Sequence, residues 1–155
     1  MINEIYDYIE SGFKLFGLHG ATGGACNCGD VECTAILKHP VMSNWQNVPH
    51  WSDEQIECFN ELGHFNSGFG VLVKGFLVVD VDARNGGVKS FKQLCKDVPC
   101  ILDCAFVVNT GSGGGSQHWY FKLSDDDKTK SLMQTHNKYT GIDFKTSGYV
   151  VGSGS

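Results

Sequence analysis

The sequence predicts an α+β domain in which short, mainly antiparallel strands carry helices on their flanks. Short apolar runs rich in β-branched residues, bounded by glycine, asparagine or charged residues, recur at 69–73, 76–82, 105–109 and 118–123, as buried strands do. Apolar residues at helical spacing fill 3–16, 56–62 and 88–95. The 155 residues suffice for one domain with a real core, and a single domain is expected over 1–155.

Taken in order, Ile5, Tyr8, Ile9, Phe13 and Phe16 set a first helix over 3–16, with Gly17 near its end. Gly20 to Cys33 is a run of small residues and cysteines without periodicity, so a loop is expected. Trp45–Trp51 is aromatic and irregular. Ser52 followed three residues later by Gln55 has the form of a capping box; Ile56, Phe59 and Leu62 continue on one face, and Gly63 should end the helix. Phe69–Val73 reads as a strand, and Lys74-Gly75 as a tight hairpin turn that pairs it with the strand at 76–82.

Val88–Cys95 reads as a helix with Phe91 and Leu94 inward, ending before Pro99. The strand at 105–109 runs into the glycine-rich stretch Thr110–Ser116. At 118–123, alternation places His118, Tyr120 and Lys122 on one face, and Trp119 and Phe121 on the other. Asp125–Lys130 is a solvated charged turn, and Ile142–Lys145 and Tyr149–Val151 are short strands around Thr146-Ser147-Gly148.

Composition narrows the setting. No apolar run approaches the roughly 20 residues that span a bilayer, and Met1–Glu10 lacks a basic-then-apolar layout, so a cytoplasmic protein without a membrane partner is expected. Seven cysteines, an odd number with no paired pattern, fit reduced thiols rather than a disulfide framework. A net charge of −5 argues against a surface that binds nucleic acid everywhere, while leaving room for a local basic groove.

Chemistry concentrates at the end of the strand Phe76-Leu-Val-Val-Asp-Val-Asp82. Alternation points Asp80 and Asp82 the same way and Val81 back into the core. Two adjacent carboxylates are costly unless one is protonated or a cation sits between them, and hard ions such as Mg²⁺ take such oxygen ligands. A second set is Cys26, Cys28, Cys33 and His39: three thiolates and an imidazole complete a tetrahedral set for Zn²⁺ within a loop over 24–40. His19 and His50 are alternatives to His39, and incidental thiols beside a surface histidine are the plainer account.

Three stretches in order, Asp80-Val-Asp-Ala-Arg-Asn-Gly-Gly87, Thr110-Gly-Ser-Gly-Gly-Gly-Ser-Gln-His-Trp-Tyr-Phe121 and Gly141-Ile-Asp-Phe-Lys-Thr-Ser-Gly-Tyr-Val-Val151, resemble the catalytic domain of the archaeo-eukaryotic primase superfamily. More narrowly, residues 11–155 are similar to the bifunctional primase-polymerase domains of phages and plasmids. The resemblance implies a palm-like sheet, akin to an RNA-recognition motif, with flanking helices and an N-terminal α/β module. It implies that Asp80, Asp82 and Asp143 bind Mg²⁺ or Mn²⁺, and that Ser116 and His118 meet the phosphates of an incoming nucleotide. Lys145 falls where the family usually has a basic residue, and Arg84 with the following glycines matches the turn after the acids. Bottom-up chemistry adds the backbone N–H groups around Gly113–Ser116, including Gly114 and Gly115, as phosphate donors. The cysteines with Lys38-His39-Pro40 look like the opening of many such domains, where Gly-Lys-His-Pro is usual; this chain has Leu37 in place of that glycine.

The expected activity is metal-dependent transfer of a nucleotide from an NTP or dNTP to a 3′-hydroxyl on a DNA template, with DNA, nucleoside triphosphates and a helicase as partners. In such domains the sheet continues beyond the third motif, so a chain ending at Gly152-Ser-Gly-Ser155 is expected to be a C-terminally incomplete piece. Two other classes compete. A nicking nuclease on a similar palm would want a tyrosine nucleophile or a His-x-His pair, which His118-Trp-Tyr120 does not supply. A non-catalytic, zinc-containing nucleic-acid-binding module would need only the cysteine loop.

Overall fold

The computed structural model describes residues 2–103, 106–126 and 134–153. Ala105 and most of the charged turn expected at 125–130 lie outside them. In chain order the elements are α1 (Ile2–Glu10), β1 (Leu15–Gly17), β2 (Ala21–Thr22), β3 (Ala25–Cys26), α2 (Asp53–Glu61), β4 (Phe69–Leu72), β5 (Phe76–Val81), α3 (Gly87–Asp97), β6 (Phe106–Asn109), β7 (Gln117–Lys122), β8 (Ile142–Lys145) and β9 (Tyr149–Val151). The fold is mixed α+β with antiparallel sheets. The chain forms two compact units, Met1–Leu72 with Tyr149–Ser155, and Val73–Gly148.

The first unit is built on a three-stranded sheet of order β1-β4-β9. Phe16, Leu18, Val48 and Leu72 are buried together there, with Trp45, Trp51 and Tyr149 packed against them. The helical period at its start runs past the helix itself. α1 stops at Glu10, Gly12 takes φ +86°, and the chain turns into β1, so Phe13 and Phe16 are buried from loop and strand rather than from a helix face. Ser52 caps α2 through the expected capping box with Gln55, and Gly63, at φ +77°, follows its last turn. The expected loop at 20–33 contains the small β2–β3 hairpin.

The second unit carries the larger sheet, of order β6-β7-β5-β8, antiparallel throughout. Its connection β5-α3-β6-β7-β8 with β5 central is the palm-like arrangement expected. One face is apolar: Val79, Val81 and Ile142 pack with Leu94 of α3 and with Ile101, and Phe91, Trp119, Phe121 and Phe144 close around them. Alternation therefore leaves residues 78, 80, 118, 120, 143 and 145 on the opposite face.

The expected hairpin between 69–73 and 76–82 does not form. A turn is present, closed by Phe76 N–H to Val73 C=O at 2.8 Å, but β4 pairs with β1 and β9 whereas β5 pairs with β7 and β8. Likewise β8 and β9, neighbours in sequence, belong to different sheets. β5 finds on β7 and β8 the partners that continue its buried apolar face.

Candidate functional site

β5 delivers Asp80 to the middle of three strands. Asp80 stands in register with His118 on β7 and with Asp143 on β8, so the three side chains lie side by side on the face away from α3. Lys145, two residues beyond Asp143, shares that face and reaches diagonally to Asp80: its Nζ lies 2.7 Å from Asp80 Oδ2. His118 Nε2 lies 3.4 Å from the other oxygen, Oδ1. Burial alone would raise the Asp80 carboxyl, but the His118 and Lys145 hydrogen bonds and charges outweigh it and hold the group well below the usual carboxylate range. Asp80 is thus a fixed anion. Among the described residues the Asp143 carboxylate beside it forms no ion pair or hydrogen bond.

His118 is nearly buried, with 8% of its side chain exposed, and its second nitrogen is occupied. Tyr120 Oη lies 3.3 Å from Nδ1. With a carboxylate facing Nε2, that nitrogen carries a proton toward Asp80, and the tyrosine hydroxyl is the hydrogen-bond partner of Nδ1. Tyr120, which the sequence sets on the His118 face without a role, orients the histidine. The signal was available, since 118 and 120 share a strand face.

Asp82 follows β5 and caps a 3₁₀ turn over Ala83–Asn85. Its Oδ1 accepts from the Arg84 backbone N–H and from Arg84 Nε, both at 3.0 Å, while Oδ2 accepts from Arg84 Nη2 at 3.1 Å and Asn85 Nδ2 at 2.8 Å. The Arg84 guanidinium, first among these partners, lowers the Asp82 carboxyl below its ordinary value. Asp80 and Asp82 therefore share a strand end, but each carboxylate faces its own cation.

The glycine-rich loop between β6 and β7 is tied to the same turn. Ser116, buried at its end, accepts the Ala83 N–H at 3.0 Å through Oγ. Gly113, Gly114 and Gly115 all take positive φ (66°, 65° and 91°), a run that only glycine adopts without strain. Within the loop the Gly113 N–H goes to Thr110 C=O and the Ser116 N–H to Gly113 C=O. Those two donors are therefore spent internally; among the described residues the N–H groups of exposed Gly114 and Gly115 make no such bond.

A junction that sequence reasoning left out of the site joins the acidic strands. Asp82 N–H donates to Gly141 C=O at 2.9 Å, and Gly87 N–H to Asp82 C=O at 2.8 Å. A Cβ at Gly141 would lie 2.5 Å from Asn85 O and 2.6 Å from Gly87 N. The two glycines let the turn after Asp82 and the chain leading into β8 touch backbone to backbone, which sets the register of Asp143. Only their place beside the acids, before the strand Ile142–Lys145 and after Asn85-Gly86, signalled this.

The cysteine set lies in the first unit. Ligand atoms of Cys26, Cys28, Cys33 and His39 all fall within 4.8 Å of one another, and among the described residues no other set of three or more Cys, His, Asp or Glu gathers so. His39 Nδ1 lies 3.2 Å from Cys33 Sγ. His39, rather than His19 or His50, completes the set; His19 packs its ring edge against His39, with centroids 5.3 Å apart. An Ala35 N–H favours the Cys33 thiolate, yet burial and the Cys26 and Cys28 sulfurs outweigh it and push the thiol up to about 11. Three clustered sulfurs resist ionising together unless a cation binds them. The six cysteines among the described residues are free thiols. The loop is anchored by Tyr149 Oη donating to Lys38 C=O and by His19 N–H donating to His39 C=O. Leu37 holds φ +58°, the left-handed conformation a glycine would take there, and is the one described non-glycine residue with positive φ.

The order of the larger sheet and the acids on its central strand define a palm-like α+β domain. Residues 6–155 match the family model described as bifunctional DNA primase/polymerase, N-terminal, and the chain belongs to that family. Its function is accordingly of the DNA primase/polymerase type, which implies binding of DNA and nucleotides. No curated protein matches the chain. No helix among the described residues is long and apolar enough to cross a membrane.

Proposed function

We propose that this domain transfers a nucleotide from an NTP or dNTP to a 3′-hydroxyl on a DNA template. The supporting observation is the register that sets Asp80, His118 and Asp143 abreast on one sheet face of a primase/polymerase-family chain. The donors on that face are carboxylate oxygens, which suit Mg²⁺ or Mn²⁺, and Asp80 and Asp143, with Asp82, would hold such ions. Bound there, the cations would lower the pKa of the attacking hydroxyl and neutralise charge on the leaving pyrophosphate. The chain's own residues supply the rest. His118, oriented by Tyr120, offers its Nε2–H to a phosphate oxygen once a cation takes over Asp80; Gly114 and Gly115 offer backbone N–H groups; Arg84 and Lys145 offer positive charge; Ser116 holds the loop against the turn. The 3′-hydroxyl gives up its proton to solvent, its oxygen bonds to the α-phosphorus, the bond to the bridging oxygen breaks, and pyrophosphate departs.

The Cys26, Cys28, Cys33 and His39 set takes zinc in this reading, since soft thiolates with one imidazole form a closed structural site. Neighbouring ligands on tetrahedral zinc stand about 3.8 Å apart, a small contraction from the observed spread. A helicase working beside the domain, in phage or plasmid replication, is proposed on the resemblance of the three motifs alone. The same zinc set also favours a second reading, a nucleic-acid-binding module without catalysis.

Manganese-supported primer extension separates the two. Templated extension that Asp80→Ala and Asp143→Ala each abolish is expected. DNA binding without extension, unchanged by either substitution, would favour the module.

A further inference from the structure

In this structure the Asp80 and Asp82 carboxylates are already paired with the chain's own donors and cations. Both oxygens of Asp80 are engaged, Oδ2 by Lys145 Nζ at 2.7 Å and Oδ1 by His118 at 3.4 Å. Asp82 is gripped from both sides by Arg84. A divalent ion cannot take the Oδ2 side of Asp80 without moving an ammonium off it. The lysine side chain is 24% exposed, and its ammonium left without an anion would stand as an unpaired, partly desolvated charge.

We propose that Lys145 is an internal counter-ion of Asp80 which a divalent cation displaces and which then holds the triphosphate, so that metal and nucleotide bind as a coupled pair. The proposal rests on the nucleotidyl-transfer reading above. Its logic is an exchange of partners. Asp80 passes from an ammonium to a metal ion, and Lys145 passes from a carboxylate to a phosphate. Each half-exchange alone strands a charge, whereas the two together strand none. By linkage, whatever nucleotide gains from the metal, the metal gains from nucleotide. The position of Lys145 suits the exchange: it lies on β8 two residues from Asp143, on the same face, and its flexible stem allows the ammonium to swing without backbone movement. Arg84, 69% exposed on its side chain, is free to rotate from Asp82 in the same way.

The test uses the full chain and two equilibria. Mn²⁺ binding without nucleotide is followed by the paramagnetic resonance signal of the free ion, with Asp80→Asn identifying the site. Binding of a fluorescent dNTP analogue is followed at saturating Mn²⁺. In Lys145→Met the two should move in opposite directions, Mn²⁺ alone binding roughly tenfold tighter and the nucleotide roughly tenfold weaker. Lys145→Arg should keep both near the original values, and Lys145→Gln, which retains a hydrogen bond to Asp80 without charge, repeats the test should the methionine variant not fold. A lysine that only binds phosphate would weaken the nucleotide and leave Mn²⁺ unchanged; a lysine that only braces the sheet would weaken both. Either result overturns the exchange while leaving nucleotidyl transfer intact. Absence of any Asp80-dependent Mn²⁺ binding, with or without nucleotide, overturns both.

Discussion

Single residues carry much of this site's design, and Leu37 shows it most plainly. A left-handed leucine pushes its Cβ toward its own carbonyl, a strain of about 1 kcal/mol or more. Half of the side chain is exposed, so packing returns little of that cost. Leu37→Gly should therefore raise stability by about 1 kcal/mol in chemical denaturation; an unchanged or lower midpoint would mean that the leucine earns its place through contacts on the loop. The glycine that the family resemblance led one to expect was a statement about backbone angle, and the angle is kept although the residue is not. Alternation made it legible that Asp80 and Asp82 share one strand face and that His118 and Tyr120 share another, whereas Asp143 and Lys145 were reached through the family resemblance of the third stretch. The face of Tyr120 was thus legible but its role was not, since a tyrosine on a buried strand reads as packing until its hydroxyl is seen on Nδ1 of the histidine.

At the scale of elements, two junctions hold the acidic strands in register. The first is the backbone contact of Gly141 with the turn at 82–87. Gly141→Ala, strained at φ +77° and placed 2.5 Å from a carbonyl oxygen, should cost roughly 2 kcal/mol or more and misplace Asp143. Gly113→Ala, where φ is +66° but nothing lies within 4 Å, should cost only about 1 kcal/mol. Equal losses in a denaturation series would contradict the close-approach argument. The second junction joins the end of α3 to the chain leading into β8. Asp97 accepts from Lys138 Nζ at 2.9 Å and from Tyr139 Oη at 2.8 Å. The Lys138 hydrogen bond, then that of Tyr139, draws its carboxyl from an ordinary 3.8 down to about 2. A depressed carboxylate adds stability above its unfolded pKa and loses it as pH falls through the folded one. Stability should thus decline between about pH 4 and pH 2, and Asp97→Asn should be less stable than the original at pH 7 with a smaller fall on acidification; identical pH profiles would remove Asp97 from the account. The strands themselves were readable from β-branched runs, but their partners were not. Lys74-Gly75 does make a turn, yet pairing is decided by which neighbours continue a buried face, and that information is distant in sequence. The end of α1 was hidden for a related reason, because Phe13 and Phe16 continue the helical spacing after Gly12 has turned the chain.

The whole molecule divides its chemistry between two compact units, hard oxygen donors on the sheet of one and soft sulfur donors in a loop of the other. A net charge of −5 is compatible with a DNA-directed domain when acids are gathered where cations are used. The central claim is that side chains from β5 and β8 form one cation site. Line broadening by Mn²⁺ in amide NMR spectra tests it most directly, because the effect falls steeply with distance from the bound ion. Substoichiometric Mn²⁺ should first erase the signals of Asp80, Asp82, His118 and Asp143 together, and Asp143→Ala should weaken the effect at Asp80. Broadening confined to residues 26–39, or reaching Asp80 but leaving Asp143 sharp, would contradict the account.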